Sequence, residues 1–319
     1  MHSENNDALP RDIGFIGLGA MGKPMVMNLA RKLIPGSRLY VHDVVAPAME
    51  EVEGLCASVP VTIVKCAHVK SVYLDPETGI IASLSRTSTR PFPDKLLIDS
   101  STIDTATNLH VKERLSQFTT SFYDAPVSGG VIGAINATIA FFLGSSASDA
   151  NLTRLTTLLQ TMGGKVIPCG GPSLGLAAKL SNNYLSGVIT IACSEAMDMG
   201  MRAGIDADVL ASVFAAGTAQ NTICDVFNPV PGVCPKAPSS DGYAGGFRVQ
   251  LMKKDFGLAM DMARRVGARN ALGASGLGVY TAASEAEDCR DRDSRVVYRY
   301  LGGREDWLHR RKGVKKEGN

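Results

Sequence analysis

The chain has 319 residues, of which 45% are hydrophobic and 20% charged, and its net charge is +2. This length suggests about two domains, and the composition is that of an ordinary globular enzyme. The small net charge gives no reason to expect a nucleic-acid partner, and no apolar run reaches the ~20 residues of a membrane span. The seven cysteines and five histidines are scattered, which predicts free thiols in a reducing compartment and no metal site.

Short apolar runs alternate with helix-like stretches from residue 12 to about residue 170. This alternation predicts an α/β domain with a Rossmann-type doubly wound, mainly parallel sheet. The predicted strands are Ile13–Ile16, Leu39–His42, Val61–Val64, Leu96–Ile98, Ser121–Asp124, Ile139–Leu143 and Lys165–Pro168. From Gly175 onward, stretches rich in Ala, Leu and Met predict an all-α domain with helices over 175–203, 206–216, 249–267 and 273–287.

A glycine-rich turn follows the first predicted strand and opens the first predicted helix. It comprises Gly17, Leu18, Gly19, Ala20, Met21 and Gly22. In this pattern the first glycine permits a tight turn, the second lets the backbone approach a pyrophosphate, and the third lets helix and strand pack closely. Asp43 ends the second strand, where an acid binds both ribose hydroxyls of NAD and repels the 2′-phosphate of NADP. We therefore expect NAD as the cofactor.

These patterns predict four segments. They are a disordered N-terminus over 1–11, an NAD-binding domain over 12–172, a helical substrate and dimerisation domain over 173–303, and a charged tail over 304–319. Asn228–Gly232 and 235–246 are expected to form an ordered loop. The interval 44–95 is short by about one element for a complete Rossmann half, because Ser83–Pro93 has the composition of a loop.

Two further segments carry groups suited to chemistry. Ser128, Gly129 and Gly130 offer a hydroxyl and unobstructed backbone N–H groups, which can hold a carboxylate, although a plain tight turn would have the same composition. Farther along, Gly175, Lys179, Asn183 and Gly187 share one helix face. The glycines suggest room for a ligand beside Lys179, which could exchange a proton with a carbinol oxygen in a partly desolvated cleft. A solvated helix face is the alternative.

The segment from Leu251 to Asp255 opens another predicted helix. Lys254 could reach the same cleft, and Asp255 could pair with a neighbouring helix. Alone, this segment would be an ordinary charged turn.

Together these segments resemble the β-hydroxyacid dehydrogenase family. The resemblance runs from about residue 12 to 301 and rests on segments 14–25, 98–104, 124–130, 179–183, 228–233 and 251–259. It implies NAD-dependent oxidation of 3-hydroxyisobutyrate to methylmalonate semialdehyde, a step of valine breakdown in mitochondria. It also implies a substrate cleft between the domains. The long apolar helices of the second half favour a homo-oligomer, either dimer or tetramer, because one small domain can hardly cover them.

The resemblance implies a role for each matching residue. Lys179 and Asn183 match the catalytic lysine and the amide that assists it, and Ser128, Gly129 and Gly130 match the substrate carboxylate site. Thr102 matches a nicotinamide contact, and Lys254 matches a lysine near cofactor and substrate. The glycine turn from Gly17 to Gly22, with Asp43, matches the NAD site.

The chain also departs from the family pattern. A Met-Leu-Pro turn of the family is absent after Val61–Val64, and Ala137 stands where the family usually has glycine. The N-terminus shows no import signal, so a cytoplasmic location is the alternative to a mitochondrial one. Two alternative functions remain: a sibling 3-hydroxyacid or semialdehyde reductase, acting for example on tartronate semialdehyde or glyoxylate, and a cofactor-deficient, non-catalytic form suggested by the short interval 44–82.

Overall fold

A computed structural model describes residues 9–55, 61–63, 69–86, 95–118 and 120–307, with the backbone alone described at 61–63 and 69–71. The chain divides into two compact units, Met1–Lys179 and Leu180–Asn319. Most of the predicted N-terminal segment and C-terminal tail, 1–8 and 308–319, lies outside the described residues. Residues 304–307 pack on the second unit, where buried Trp307 donates its indole N–H to the carbonyl of Pro231 at 2.8 Å.

The first unit is built on short β-strands that are mainly parallel. Those described are β1 (Asp12–Ile16), β2 (Arg38–His42), β3 (Val61–Ile63), β4 (Leu96–Asp99), β5 (Ser121–Asp124), β6 (Val127–Ser128), β7 (Ile139–Leu143) and β8 (Gly163–Pro168). They pair in three groups, β1-β2-β3, β4-β5 and β6-β7-β8, and every pair is parallel except β6 with β7. The predicted Rossmann-like class is confirmed, although the two-residue strand β6 was not predicted.

Helices cover these strands in the first unit. They are α1 (Gly22–Lys32), α2 (Ala46–Leu55), α3 (Val69–Leu74), α4 (Ile80–Arg86), α5 (Thr105–Ser116), α6 (Gly130–Ile135) and α7 (Leu152–Leu159). One core joins β1, β2 and β7 to α1 and α7, and its fully buried side chains include Leu29, Leu39 and Phe141. Leu96 and Ile98 of β4 pack against the same core, which brings the two parallel strand groups together.

The interval 44–95 holds α2, β3, α3 and α4 among its described residues. A complete Rossmann half would have two strands in this interval, and β3 is the one found among the described residues. The prediction of a loop from Ser83 is wrong for its first residues, since α4 continues to Arg86. Ile81 and Leu84 are buried in the second core of this unit, which outweighs the polar composition. Residues 64–68, where the family turn was expected, and 87–94 lie outside the described residues.

The described part of the second unit is helical, apart from one isolated bridge between Arg248 and Asp293. Helix α8 (Leu174–Arg202) begins in the first unit and continues through the second. It is followed by α9 (Ala207–Ala216), α10 (Thr222–Val226), α11 (Val249–Val266), α12 (Gly273–Glu285) and α13 (Val297–Tyr300). The prediction of an all-helical domain is confirmed.

The proline-rich segment between α10 and α11 is held by side-chain hydrogen bonds. Buried Asn228 donates to the carbonyl of Cys224 at 3.2 Å and accepts the N–H of Val230 at 3.0 Å. Tyr243 donates to the carbonyl of Pro229 at 3.0 Å. The predicted ordered loop is therefore confirmed.

In the described ranges no helix is both long and apolar enough to cross a membrane. The His, Cys, Asp and Glu side chains of those ranges form no group of three or more suited to a metal ion.

Ala137, between α6 and β7, has a φ of 52°, in the left-handed region that favours glycine. We expect Ala137→Gly to increase the free energy of unfolding by about 0.5–1 kcal/mol, because relief of ~1–2 kcal/mol of strain exceeds the added entropy of the unfolded chain. Chemical denaturation with an unchanged m-value measures it. Ala215→Gly in α9, where the alanine is exposed and helical, is the matched control and should lose about 1 kcal/mol. Equal losses in both variants would contradict the strain.

Candidate active site

The glycine turn after β1 is closed by contacts that only glycine permits. Gly17 has a φ of 98° and donates its N–H to the carbonyl of His42 at 2.7 Å. A Cβ on Gly22 would lie 1.8 Å from the carbonyl oxygen of Gly17, so the start of α1 packs directly on the turn. These two positions fix the path of the backbone from β1 into α1.

The same turn leaves space at its second glycine. A Cβ on Gly19 would have nothing within 4 Å. Gly19 also lies at one end of a cavity of about 600 Å³ that continues between α1, α2 and α6 as far as Arg31, Leu55 and Ile135. Helix α1 has no side-chain cap at Met21 and no acidic residue in its first turn. Lys23 donates its N–H to the carbonyl of Gly19 at 3.1 Å and Pro24 has no N–H, so Gly22 supplies the remaining backbone donor of this turn. An open cradle at an uncapped helix N-terminus fits a pyrophosphate group.

Asp43 lies beside this turn at the end of β2. Its carboxylate accepts the N–H of Leu18 at 2.5 Å through Oδ2 and that of Val45 at 2.8 Å through Oδ1. Each carboxylate oxygen can accept a further hydrogen bond, so Asp43 keeps acceptor capacity for a pair of hydroxyls. The structure thus brings the predicted ribose-binding acid and the glycine turn together.

Thr102 lies between two organised points after β4. The buried carboxylate of Asp99 accepts the N–H of Ser101 at 3.0 Å, and Asp104 caps α5 by accepting the N–H of Thr107 at 2.8 Å. Burial raises the pKa of Asp99, and the hydrogen bonds from Ser101 oppose that rise. The half-buried Thr102 therefore lies at the carboxyl end of a parallel strand, as predicted.

The Ser128 segment combines a strand end with two unusual glycines. Ser128 belongs to β6 and pairs with Ala140 of β7. Gly129 has a φ of 135° and Gly130 a φ of 64°, and both are exposed. A Cβ on Gly129 would also lie 3.1 Å from the side chain of Ile139. These features leave the backbone after Ser128 open to a small anion.

Asp124 joins this segment to the first turn of α8. Its buried carboxylate accepts the N–H of Ser173 at 2.7 Å through Oδ1 and that of Leu176 at 2.8 Å through Oδ2. Burial raises the pKa of Asp124, and the bonds from Leu176 and Ser173 oppose the rise. We did not predict this contact. The only indication of it in the sequence is a carboxyl group directly after an apolar strand.

Lys179 lies one turn beyond Leu176, and only 8% of its surface is exposed. The neighbouring side chains of Leu176 and Leu180 are fully buried. The alternative of a solvated helix face is therefore wrong at this position.

The glycines of the same helix row do not leave room for a ligand, contrary to prediction. A Cβ on Gly175 would lie 2.1 Å from the carbonyl oxygen of Phe142, and one on Gly187 would lie 3.0 Å from the ring of Phe256. Both glycines serve close packing, Gly175 within the first unit and Gly187 within the second.

In the second unit, Asn183 and Lys254 meet at one buried carboxylate. Asn183 Nδ2 donates to Asp255 Oδ2 at 2.6 Å, and Lys254 Nζ lies 3.0 Å from Asp255 Oδ1. Asn183 and Asp255 are both buried, whereas the Lys254 side chain is 46% exposed. The predicted pairing of Asp255 with a neighbouring helix is confirmed, and its partner is the amide of Asn183 on α8.

Comparison with known domain families covers both units. Residues 12–171 match the NAD-binding domain of 6-phosphogluconate dehydrogenase. Residues 174–301 match the domain described as NAD-binding of NADP-dependent 3-hydroxyisobutyrate dehydrogenase. Both descriptions indicate a nicotinamide dinucleotide as the cofactor, in agreement with the predicted NAD.

Similar proteins come from eukaryotes and bacteria. The chain is 37% identical to the probable mitochondrial 3-hydroxyisobutyrate dehydrogenase of Dictyostelium discoideum, with 91% of each chain covered. It is 36% identical to 3-hydroxyisobutyrate dehydrogenase of Pseudomonas aeruginosa, covering 86% of this chain and 93% of that one. It is also 33% identical to NAD-dependent L-serine dehydrogenase of the same bacterium, covering 85% and 91%.

A solved structure agrees with these similarities. The 3-hydroxyisobutyrate dehydrogenase of Mycobacterium tuberculosis with L-serine has a TM-score of 0.78 and 32% identity, and the match covers 91% of this chain and 98% of that one. The chain therefore belongs to the 3-hydroxyisobutyrate dehydrogenase family of NAD-dependent 3-hydroxyacid dehydrogenases.

Proposed function

We propose that the protein oxidises 3-hydroxyisobutyrate to methylmalonate semialdehyde in valine breakdown, with Lys179 as general acid and base. The observation that carries this proposal is the pair of hydrogen bonds that the N–H groups of Ser173 and Leu176 donate to Asp124. They tie the end of β5, which leads to Ser128, to the turn of α8 that precedes Lys179. Asp124 thus anchors both the segment that we propose to bind the substrate carboxylate and the helix turn before the buried Lys179.

The glycine turn and Asp43 would hold the cofactor, with contributions from Thr102 and Lys254. The open space at Gly19 and the uncapped start of α1 support the pyrophosphate position. When bound, NAD supplies a hydride acceptor for the carbinol carbon. Asp43 would select NAD, because its carboxylate beside the turn repels a 2′-phosphate.

The substrate carboxylate would lie against Ser128, Gly129 and Gly130. A hydroxyl and two open N–H groups can donate hydrogen bonds to an anion without adding a charge. Binding the end of the substrate that does not react would orient its hydroxyl for proton transfer.

Lys179 would take the hydroxyl proton at its Nζ atom. Only 8% of the residue is exposed, which favours proton exchange with a positioned substrate over exchange with water. Asn183 would position the reacting oxygen or the lysine, and Asp255 limits the orientations that its amide can adopt.

A second candidate substrate is L-serine, which is also a 3-hydroxy acid. A relative is named NAD-dependent L-serine dehydrogenase, and the Mycobacterium tuberculosis structure contains L-serine. Serine differs from 3-hydroxyisobutyrate in carrying an ammonium group in place of a methyl group, so the selectivity depends on the polarity beside the bound carboxylate.

We also propose a mitochondrial location and a homo-oligomer, either dimer or tetramer. The Dictyostelium relative is named mitochondrial, whereas the Pseudomonas relative is bacterial. The proposed functional boundary is at residues 172–173, within two residues of the ranges matched by the two domain families.

The substrate proposal predicts a ranking of reaction rates. With NAD, we expect kcat/KM for 3-hydroxyisobutyrate to exceed that for L-serine by at least tenfold, since a buried ammonium costs more than a buried methyl. The absorbance of the NADH formed at saturating NAD measures both rates. The same assay with NADP in place of NAD, and the reduction of tartronate semialdehyde by NADH, test the alternatives. A higher kcat/KM for L-serine would make L-serine the assigned substrate. An inactive protein that does not bind millimolar NAD would favour the non-catalytic alternative.

Lys179→Ala should lower kcat by roughly 10²–10⁴-fold through loss of general acid–base catalysis. The Kd for NAD, measured by calorimetry, should stay within about threefold, because Lys179 is assigned to the proton and not to the cofactor. Lys165→Ala, at an exposed lysine on β8 of the same unit, is the control and should keep its rate. Full activity of Lys179→Ala would end the assignment.

Two glycine substitutions separate cofactor binding from folding. Gly19→Ala places a methyl group in open space, so the fold should keep its Tm while NAD affinity falls by tenfold or more. Gly22→Ala forces a contact with the Gly17 carbonyl and should lower the Tm by several degrees. Circular dichroism and NAD titration measure the two effects, and undiminished NAD binding by Gly19→Ala would exclude this turn as the pyrophosphate site.

A further inference from the structure

Two buried cysteines of the second unit face each other across α8 and α10. The Sγ atoms of Cys193 and Cys224 lie 3.4 Å apart, although the residues are 31 positions apart in the chain. Both thiols are free, and their exposed fractions are 4% and 6%. From this juxtaposition we infer that Cys193 and Cys224 form a peroxide-sensitive dithiol that closes to an intramolecular disulfide.

The surroundings of Cys224 make it the nucleophile of the pair. Asn221 caps α10 by accepting the N–H of Cys224 at 3.0 Å, and its Nδ2 donates to the sulfur of Cys224 at 3.1 Å. Asn221 Nδ2 also donates to the carbonyl of Ala219 at 2.7 Å, which fixes the amide orientation. A sulfur that receives a fixed amide hydrogen is better stabilised as a thiolate than as a thiol.

The electrostatic environment agrees with this assignment. The contact with Cys193 and the amide of Asn221 lower the pKa of Cys224 below its ordinary value, against the opposing effects of burial and of Asp225. The pKa of Cys193 is raised, first by its contact with Cys224 and then by burial and by nearby Cys234. Cys193 thus keeps its proton while Cys224 supplies the reactive thiolate.

The chemistry needs one molecule of hydrogen peroxide as oxidant. The Cys224 thiolate attacks one oxygen, forming an S–O bond as the O–O bond breaks, and the hydroxide released takes up a proton to become water. The sulfur of Cys193 then attacks the sulfenic sulfur of Cys224, forming the S–S bond as the S–O bond breaks. The second hydroxide takes the Cys193 proton, so two thiols and one peroxide give one disulfide and two waters.

Closure requires only a local movement. The sulfur atoms must approach from 3.4 Å to about 2.05 Å. Cys224 lies on a helix of five residues, three of which, Thr222, Asp225 and Val226, are exposed. Opening of so short a helix would admit peroxide. The disulfide would then fix α10, whose Cys224 carbonyl accepts the amide of Asn228 in the proline-rich loop.

The test treats the full-length protein with a one- to tenfold molar excess of hydrogen peroxide at pH 7.5. Remaining thiols are then alkylated under denaturing conditions, and tryptic peptides are mapped by mass spectrometry. We expect a crosslinked pair of peptides containing Cys193 and Cys224, 2 Da lighter than their sum, and its loss on reduction. Because Cys224 and Cys234 share the tryptic peptide 203–236, fragment ions must place the bond at Cys224 and the alkyl group at Cys234. The Tm of the oxidised protein should exceed that of the reduced protein by several degrees, because the crosslink constrains the unfolded chain.

Matched variants assign the partners. Cys193→Ala should block the crosslink and leave a sulfenic acid at Cys224 that dimedone captures, whereas Cys289→Ala, at another buried cysteine of the unit, should leave the crosslink unchanged. Cys234→Ala tests the neighbouring thiol. A crosslink to Cys234, or survival of both thiols at tenfold peroxide, would overturn the inference, and this peptide map of the wild-type protein decides even where a variant fails to fold.

Discussion

The buried carboxylate of Asp124 is the constraint on which the rest of the first unit depends. It holds the N–H groups of Ser173 and Leu176, and there is no room for a side chain beside it. A Cβ on Gly144 would lie 1.8 Å from Oδ1, and one on Gly175 would lie 2.8 Å from Oδ2. Two glycines and two backbone donors thus enclose one charge, whose burial is tolerable because its hydrogen bonds are satisfied. This contact fixes the start of α8 beside the end of β5.

Local patterns predicted much of this fold. All seven expected strands are present, and the four long helices begin and end within about two residues of prediction. Alternating apolar runs and the turn after β1 depend on residues close in sequence, so they can be predicted without a structure. The glycine turn and Asp43 were legible for the same reason, since their spacing along one strand–helix–strand unit fixes their proximity.

The remaining features depend on contacts distant in sequence. Asn183 and Asp255 are separated by 72 positions, and no local pattern indicates that one amide meets one carboxylate. The glycine row on α8 shows the same limit. Spacing correctly placed Gly175 and Gly187 on one helix, but only the partners, a carbonyl of β7 and the ring of Phe256, show that these glycines permit packing. Strand β6 was missed because two residues are too few for a periodic signal.

The ammonium group of Lys254, which we assign to cofactor and substrate, also lies beside a buried carboxylate. That carboxylate belongs to Asp255 and also holds the amide of Asn183. Without Lys254, that carboxylate would lose the positive charge beside it, and an under-compensated buried charge is costly. Any loss of activity on removing Lys254 therefore includes the effect of a displaced Asn183 amide, even if the lysine also contacts cofactor or substrate. The contribution of Lys254 to binding is separable only in a variant that keeps the positive charge beside Asp255 while shortening or redirecting the side chain.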